Sequence, residues 1–407
     1  MTPAARVPQL PPPVRVHAAL RDITEWLAAE VTQPQASPPE WSEFEWRTAR
    51  AVAAMHGISG LLAAVLVWRG PEGWMDFLAE QRTHIAGRHL RMQELLTAIG
   101  DCFRSRGIPV QALKGAALHR DGLYRAGERP MADLDLLVLP QHLDAGAVAL
   151  GSLGLRESHR TLKHRVFVPV HAARRPGFGE HADNDMKVEL HERICESLPL
   201  RVTDISHLMW PREAYPGLNP YPSGAALMAH LLLHAGGAMA TRTLRLIQLH
   251  DIALLAPGLT LQDWHALQSW APWWAWPPLA IAERYYGALV PGTLMARLRA
   301  SCPPVLRRTC RSQCLSDVSL SRLWLEAFPG IEWTRSVGEA LSYMVHRTVP
   351  GATVRADRKM ALQSDPSLAE GDWGGLSQGR RIIRALKGRT PRPWPLYNVR
   401  EALGQRH

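Results

Sequence analysis

Apolar residues recur at helical spacing through the first hundred positions. Leu20, Ile23, Leu27 and Val31 form one stripe and predict a helix over residues 16–32. A break over 33–39 precedes a second helical stretch expected from about Trp41 to Trp68. A third runs from about Trp74 to Arg106 and stops before Gly107. Ahead of them, Leu10 to Pro13 reads as an extended proline-rich leader.

After Gly107 the pattern changes to short apolar runs. Ile108–Leu113, Leu134–Leu139, His164–Val170 and Met186–His191 predict strands, with helices near Leu118–Tyr124 and 141–150 between them. The segment from His171 to Asp185, rich in glycine, histidine and charge, reads as a mobile loop near the site. From Ser223 the helical period returns, with helices expected over 223–235, 241–255 and 261–269. The expectation is an α/β (α+β) chain with a small mixed sheet between helical flanks. Its parts are a helical N-terminal subdomain (1–106), the sheet core (107–222), a helical C-terminal domain (223–350) and a basic, Gly/Pro-interrupted tail (351–407).

Chemistry concentrates at the start of one strand. Asp133 and Asp135 flank Leu134, so they point to the same face, roughly 6.5–7 Å apart. Two carboxylates on one face repel unless a cation lies between them, and Mg²⁺ prefers a few carboxylates plus phosphate oxygens. Solvated strand-start aspartates are the plainer reading of an isolated Asp-x-Asp. The neighbouring runs shift the balance. Lys114-Gly115-Ala116-Ala117 follows a strand and leads into a helix, offering backbone N–H groups to an anion. Lys187, Glu189 and His191 share a face of the strand from Met186, which adds a third carboxylate.

Three runs together carry a family resemblance: Leu113-Lys114-Gly115-Ala116-Ala117-Leu118, then Arg129-Pro130-Met131-Ala132-Asp133-Leu134-Asp135-Leu136-Leu137-Val138, then Val188-Glu189-Leu190-His191. They resemble the uncharacterised bacterial nucleotidyltransferase-like family, a branch of the polymerase-β-type superfamily. The stretches His230–Ala235 and Arg245–Ala253 extend the likeness, over roughly residues 85 to 290. The resemblance implies a mixed-sheet catalytic core with Asp133, Asp135 and Glu189 as catalytic residues and ligands of Mg²⁺ (or Mn²⁺). It implies Lys114, Gly115, Ala116 and Arg129 at the nucleotide phosphates, and His191, His234, Arg245 and Asp251 as substrate or supporting residues. Two departures stand out: Ala116 where a hydroxyl residue is usual, and Glu189 where Asp is usual. The implied reaction moves a nucleotidyl group from an NTP, ATP included, to a hydroxyl or phosphate acceptor such as a modified peptide, a sugar or RNA. Sugar transfer from a nucleotide-sugar, a tRNA-modifying toxin-like enzyme and a non-catalytic nucleotide- or RNA-binding protein are the alternatives.

Plainer roles compete at several of these positions. Arg129 could pair with Glu128 or Asp133, His191 could hydrogen-bond a carboxylate, and Asp251 could form a helix–helix salt bridge. His230 and His234 share a helix face without a metalloprotease Glu between them, so they read as core or substrate-facing residues. Trp270, Trp273, Trp274 and Trp276 read as a turn whose indoles pin two helices, with a stacking platform for a base or sugar as the alternative.

Composition adds compartment and charge. A 407-residue chain is long enough for two or three domains. Its five cysteines are odd in number and dispersed, which suggests reduced thiols in the cytoplasm. Cys302, Cys310 and Cys314 have no fourth ligand at zinc-like spacing and read as buried small hydrophobes. The apolar runs Ile58–Trp68 and Ala225–Met239 are shorter than a membrane crossing needs, and residues 1–16 lack a signal-peptide core. From Arg380 to His407 there are eight Arg/Lys and one acid, +7 of the formal +10. With Gly374-Gly375 and Pro391, Pro393 and Pro395 interrupting it, this segment reads as a loose arm able to contact an acidic partner.

Overall fold

A computed structural model describes residues 9–161, 163–171, 178–270, 272–352, 354–355 and 376–404. Its sheet has six strands in a mixed arrangement: β1 (Pro109–Ala112), β2 (Asp133–Val138), β3 (Leu155–Arg160), β4 (His164–Pro169), β5 (Lys187–His191) and β8 (Gly217–Asn219). Their order is β3-β4-β5-β2-β1-β8, with β5 parallel to β2 and β8 parallel to β1, the other contacts being antiparallel. A separate hairpin joins β6 (Cys195–Leu198) to β7 (Arg201–Asp204). The mixed α/β architecture is the expected one. The strands β3, β6, β7 and β8 are additional; β3 alternates exposed and half-buried residues, and the other three have only three or four residues each.

The alternation along β2 sorts its side chains between two surroundings. Leu134, Leu136 and Val138 join Val188, Leu190, Ile99 and Phe103 in a hydrophobic cluster. That cluster lies beneath α4 (Glu72–Ser105) and α6 (Leu143–Ser152). Asp133, Asp135 and Leu137 alternate with that set, and Leu137 belongs to a second, larger cluster on the opposite side.

The second cluster unites helices from both ends of the chain. It includes α1 (Pro13–Thr32), α2 (Glu43–His56) and α3 (Ser59–Val65). It also includes α7 (Gly224–Thr241), α8 (Leu246–Leu255) and α10 (Trp276–Tyr286). The α1 stripe is buried as its spacing predicts, with Leu20 and Leu27 fully covered. The long helix expected from Trp41 to Trp68 is instead divided. Gly57 takes φ +67° and caps α2, and the chain turns before α3. Helix α7 runs past its expected end at Ala235, and its Gly236-Gly237 step admits close neighbours. A β-carbon on Gly237 would meet the Glu196 side chain at 2.8 Å.

Two expectations about irregular segments change. Residues 178–185 are fastened to α4: Gln81 exchanges hydrogen bonds with the Glu180 backbone, and Arg88 pairs with Glu180 and donates to the carbonyls of Asn184 and Met131. Residues 172–177 of that loop lie outside the described residues. The basic C-terminal segment is not a loose arm over residues 376–404. It folds into α15 (Gln378–Leu386) and α16 (Pro393–Gly404), and α16 buries Val399 and Ala402 in the large cluster. Arg392 points inward, donating to the carbonyls of Arg242, Ser319 and Arg322 at 3.0–3.3 Å. Proline at the start of α16 is compatible with a helix because the first N–H groups have no intrahelical partner. Gly374-Gly375 and Arg406 lie outside the described residues.

Helix α9 (Leu261–Ser269), which adds Trp264 and Leu267 to the large cluster, precedes the tryptophan group. Trp274 and Trp276 are buried core residues and Trp273 packs edge-on against Trp333, as a helix-pinning turn requires. Cys302 and Cys310 are buried in the same cluster. Among the described residues no single helix is long and apolar enough to cross a membrane; α2 and α3 pass the length test only jointly, bent by 112°.

Candidate active site

Parallel pairing of β2 with β5 sets Asp135 opposite Glu189 and Leu137 opposite His191, while β4 sets His164 opposite His191. One sheet face therefore carries Asp133, Asp135, Glu189, His191 and His164. A cavity of about 320 Å³ covers it, closed on the far side by α7 and α8. Every site residue that the family resemblance implies lines this cavity: Lys114, Gly115, Ala116, Arg129, Asp133, Asp135, Glu189, His191, His234, Arg245 and Asp251. None of the four clustered tryptophans does.

Lys114 opens α5 (Lys114–Arg120) with φ 45°, a left-handed conformation that costs a non-glycine residue roughly 1–2 kcal/mol. The tight turn thus falls on Lys114 rather than on Gly115. It directs Lys114 Nζ to Asp135 Oδ1 at 3.0 Å, while the Lys114 N–H donates to Tyr221 Oη at 3.4 Å. Burial works against the lysine's charge, but Asp135 and Asp133 hold its pKa above the usual value. Gly115 has a different task. A β-carbon there would run into the Arg129 guanidinium, with Met131 Sδ 3.0 Å away.

Arg129 pairs with neither Glu128 nor Asp133. Its Nε donates to Asp251 Oδ1 at 2.8 Å and its Nη2 to Asp251 Oδ2 at 2.7 Å, and Tyr124 adds a hydroxyl hydrogen bond to Oδ1 at 2.7 Å. This buried, two-pronged pair fastens α8 to the loop leading into β2.

His191 Nε2 lies 3.0 Å from Asp135 Oδ1 and 3.7 Å from Glu189 Oε2, the carboxylate-bound role foreseen for it. Burial opposes its protonation, yet hydrogen bonds to Asp135 and Glu189 raise its pKa. His164, not singled out by sequence, stands 3.3 Å from Glu189; burial pushes it down to about 4. Its position opposite His191 on a neighbouring strand was the only available signal, and that needs the register. Also unforeseen is the cavity's far corner, where Glu196 pairs with Lys163 and lies 3.6 Å from His234. His230 accepts or donates at Tyr221 Oη, 2.8 Å away.

Two groups are left over from this pairing. Asp133 has no side-chain hydrogen bond or ion pair among the described residues, and burial followed by repulsion from Asp135 and Glu189 pushes its pKa up to about 7. Arg245, at the start of α8, makes one side-chain hydrogen bond among the described residues, from Nε to Met55 O at 3.1 Å. Burial lowers its pKa, and no carboxylate among the described residues touches it. Room for the guanidinium comes from Gly57, where a β-carbon would strike Nη2.

The donor set suits a divalent cation. Three carboxylates share one sheet face and line one cavity, Asp135 receives both its cationic contacts on Oδ1, and Asp133 is a carboxylate raised by burial and then by like charges. His164, Glu189 and His191 form the one group of potential ligand residues among those described whose donor atoms lie within 4.8 Å of one another.

Residues 42–276, more than half of the 407-residue chain, match a family described as an uncharacterised nucleotidyltransferase. The match begins upstream of the expected residue 85, so α2, α3 and all of α4 fall within it, and it ends at the start of α10. No curated protein and no solved structure matches the chain.

Proposed function

The chain belongs to this uncharacterised nucleotidyltransferase family, and on that premise we propose that it is a divalent-metal-dependent enzyme moving a nucleotidyl group from an NTP to a hydroxyl or phosphate acceptor. The observation that carries this reading is the placement of Asp133, Asp135 and Glu189 on one face of two parallel neighbouring strands, beneath a cavity that also holds Arg245, which has no carboxylate partner among the described residues.

Asp133, Asp135 and Glu189 would hold Mg²⁺ or Mn²⁺, and Glu189 also belongs with His164 and His191 to the group of donor atoms within 4.8 Å of one another. A bound ion would supply Lewis-acid charge at the phosphate oxygens. The remaining work belongs to the chain. Lys114 and His191 fix the Asp135 carboxylate through its Oδ1. Arg245, with guanidinium N–H groups free of carboxylates, is the donor best placed in charge to receive the triphosphate. Arg129 is committed to Asp251 and acts by positioning, since that pair holds α8, and with it Arg245, against the loop before β2.

In the reaction the acceptor oxygen bonds to the α-phosphorus, the bond from that phosphorus to the bridging oxygen breaks, and pyrophosphate leaves with the electron pair. The acceptor's proton passes to Glu189. Burial opposes the charge of its carboxylate, but the His191 hydrogen bond together with the His164 and Lys114 charges keeps its pKa below the usual value. Most of the acceleration in such transfers comes from positioning and charge stabilisation, which a rigid sheet face can provide.

Incubation with NTPs labelled at the α- or γ-phosphate tests the reaction class. Transfer of α-label to the acceptor with release of labelled pyrophosphate supports the reading. Release of a nucleoside diphosphate, with the γ-label moved, would reassign the chain to phosphoryl transfer.

A further inference from the structure

A second cavity, of about 290 Å³, adjoins the first and shares Pro130 and Arg245 with it. Its other walls come from the turn between α2 and α3, Gln81 and Ile85 of α4, the Phe178–Glu180 segment, Leu320 and helix α16. Pro130 stands three residues before Asp133, so the two cavities meet at the entrance to the carboxylate face. Nothing in the catalytic reading so far uses this space.

The lining has a definite chemistry. Trp394, Tyr397 and Phe178 supply aromatic surface. Glu401 has no hydrogen bond or ion pair among the described residues. Asn398 spends its Nδ2 on Trp394 O at 2.9 Å, which leaves its Oδ1 acceptor unpaired among them. Glu180 adds a second carboxylate, already paired with Arg88. Arg245, at the boundary, is the one cation in this lining. Acceptors without matching donors, set beside aromatic faces, call for a ligand that presents several hydroxyl or amine hydrogens and a flat C–H face. A polyanion is disfavoured by the two carboxylates, and a purely apolar ligand would strand Glu401 and Asn398 without partners.

We propose that this second cavity is the acceptor subsite and that its occupant is a sugar, whose hydroxyl or amino groups donate to Glu401 and Asn398 while its ring lies on Trp394. The assignment rests on the nucleotidyl-transfer reading, which it completes by placing the attacking hydroxyl beside Arg245 and the carboxylate face. Two distant parts of the chain then contribute to catalysis: the sheet core supplies the nucleotide side, and α16 supplies the acceptor side from outside the family-matched region.

Saturation-transfer NMR on the full chain, with glucosamine and glucose as probes, tests the subsite. Signal is expected from both, and Trp394→Ala should abolish it while Trp394→Phe keeps it. Glu401→Gln should weaken glucosamine about tenfold and glucose less, because the charge-assisted bond is lost only for the amine. Thermal melts accompany each variant; if Trp394→Ala fails to fold, the Phe and Gln variants decide. No sugar signal on the wild-type chain, or undiminished signal in folded Trp394→Ala, overturns the assignment. A parallel titration of the wild type with NTP and Mg²⁺ separates the two claims. Nucleotide binding without sugar binding removes the subsite alone. Trp394-dependent sugar binding without nucleotide binding removes the transfer reading and leaves a sugar site.

Discussion

The guanidinium of Arg129 occupies the space that a β-carbon on Gly115 would need. A glycine that reads in sequence as a phosphate-approach residue therefore also serves an ion pair, Arg129 with Asp251. Gly115→Ala should push Arg129 off Asp251. The expected loss is about 1–3 kcal/mol from overpacking, visible as a lower midpoint in urea unfolding with unchanged slope. An unaltered midpoint would show that Arg129 has another place to go.

Removing the partner should cost more. Asp251→Ala leaves a buried guanidinium and the Tyr124 hydroxyl without their shared acceptor, with an expected loss of about 3–5 kcal/mol. The double variant Arg129→Met/Asp251→Leu should be markedly less damaging than the sum of the two single changes. Additive losses in that cycle would mean that the pair is not coupled.

Arg245 should behave in the opposite manner. Because its guanidinium contacts no carboxylate among the described residues, Arg245→Met should change stability little while weakening NTP binding by about tenfold or more. Calorimetric titration with each of the four NTPs checks this. Equal affinity in the variant would place the triphosphate elsewhere in the cavity.

Acid should destabilise the protein through histidines held neutral. His56 is buried, accepts the Leu246 N–H at Nδ1 (3.0 Å), and so donates from Nε2 to Ser321 Oγ (2.8 Å). Burial, then the nearby Arg245, lowers its pKa from 6.5 to about 3. The unfolded chain binds a proton below pH 6.5 that the folded chain refuses. Stability from this group is therefore complete above pH 6.5 and falls as pH drops toward 3, by about 1.4 kcal/mol per pH unit in mid-window. Unfolding free energies of wild type and His56→Gln across that window should differ in slope by one proton. Parallel slopes would contradict the burial of a neutral ring.

What could be read from the sequence follows from which interactions are local. The Leu20–Val31 stripe, the apolar run after Asp133 and the same-face placement of Asp133 with Asp135 are properties of neighbouring residues, and the structure reproduces them. The break at Gly57 was missed because periodicity continues across it, the glycine being needed for its φ and for the distant Arg245 side chain. The partners of Arg129 and the addition of His164 depend on helix docking and strand register. The C-terminal segment looked solvated because its charges dominate, whereas Val399, Ala402 and an inward Arg392 seat it against the core.

If Asp133 and Asp135 form a metal-dependent nucleotide site, nucleotide affinity must depend on both the ion and the two carboxylates. Calorimetry of NTP binding with and without Mg²⁺, on the wild type and on Asp133→Asn/Asp135→Asn, tests it most directly. At least one NTP should bind only when the metal is present, and that binding should disappear in the folded double variant. Binding that is indifferent to Mg²⁺ and survives both substitutions, or no binding of any NTP to the wild type, would contradict it.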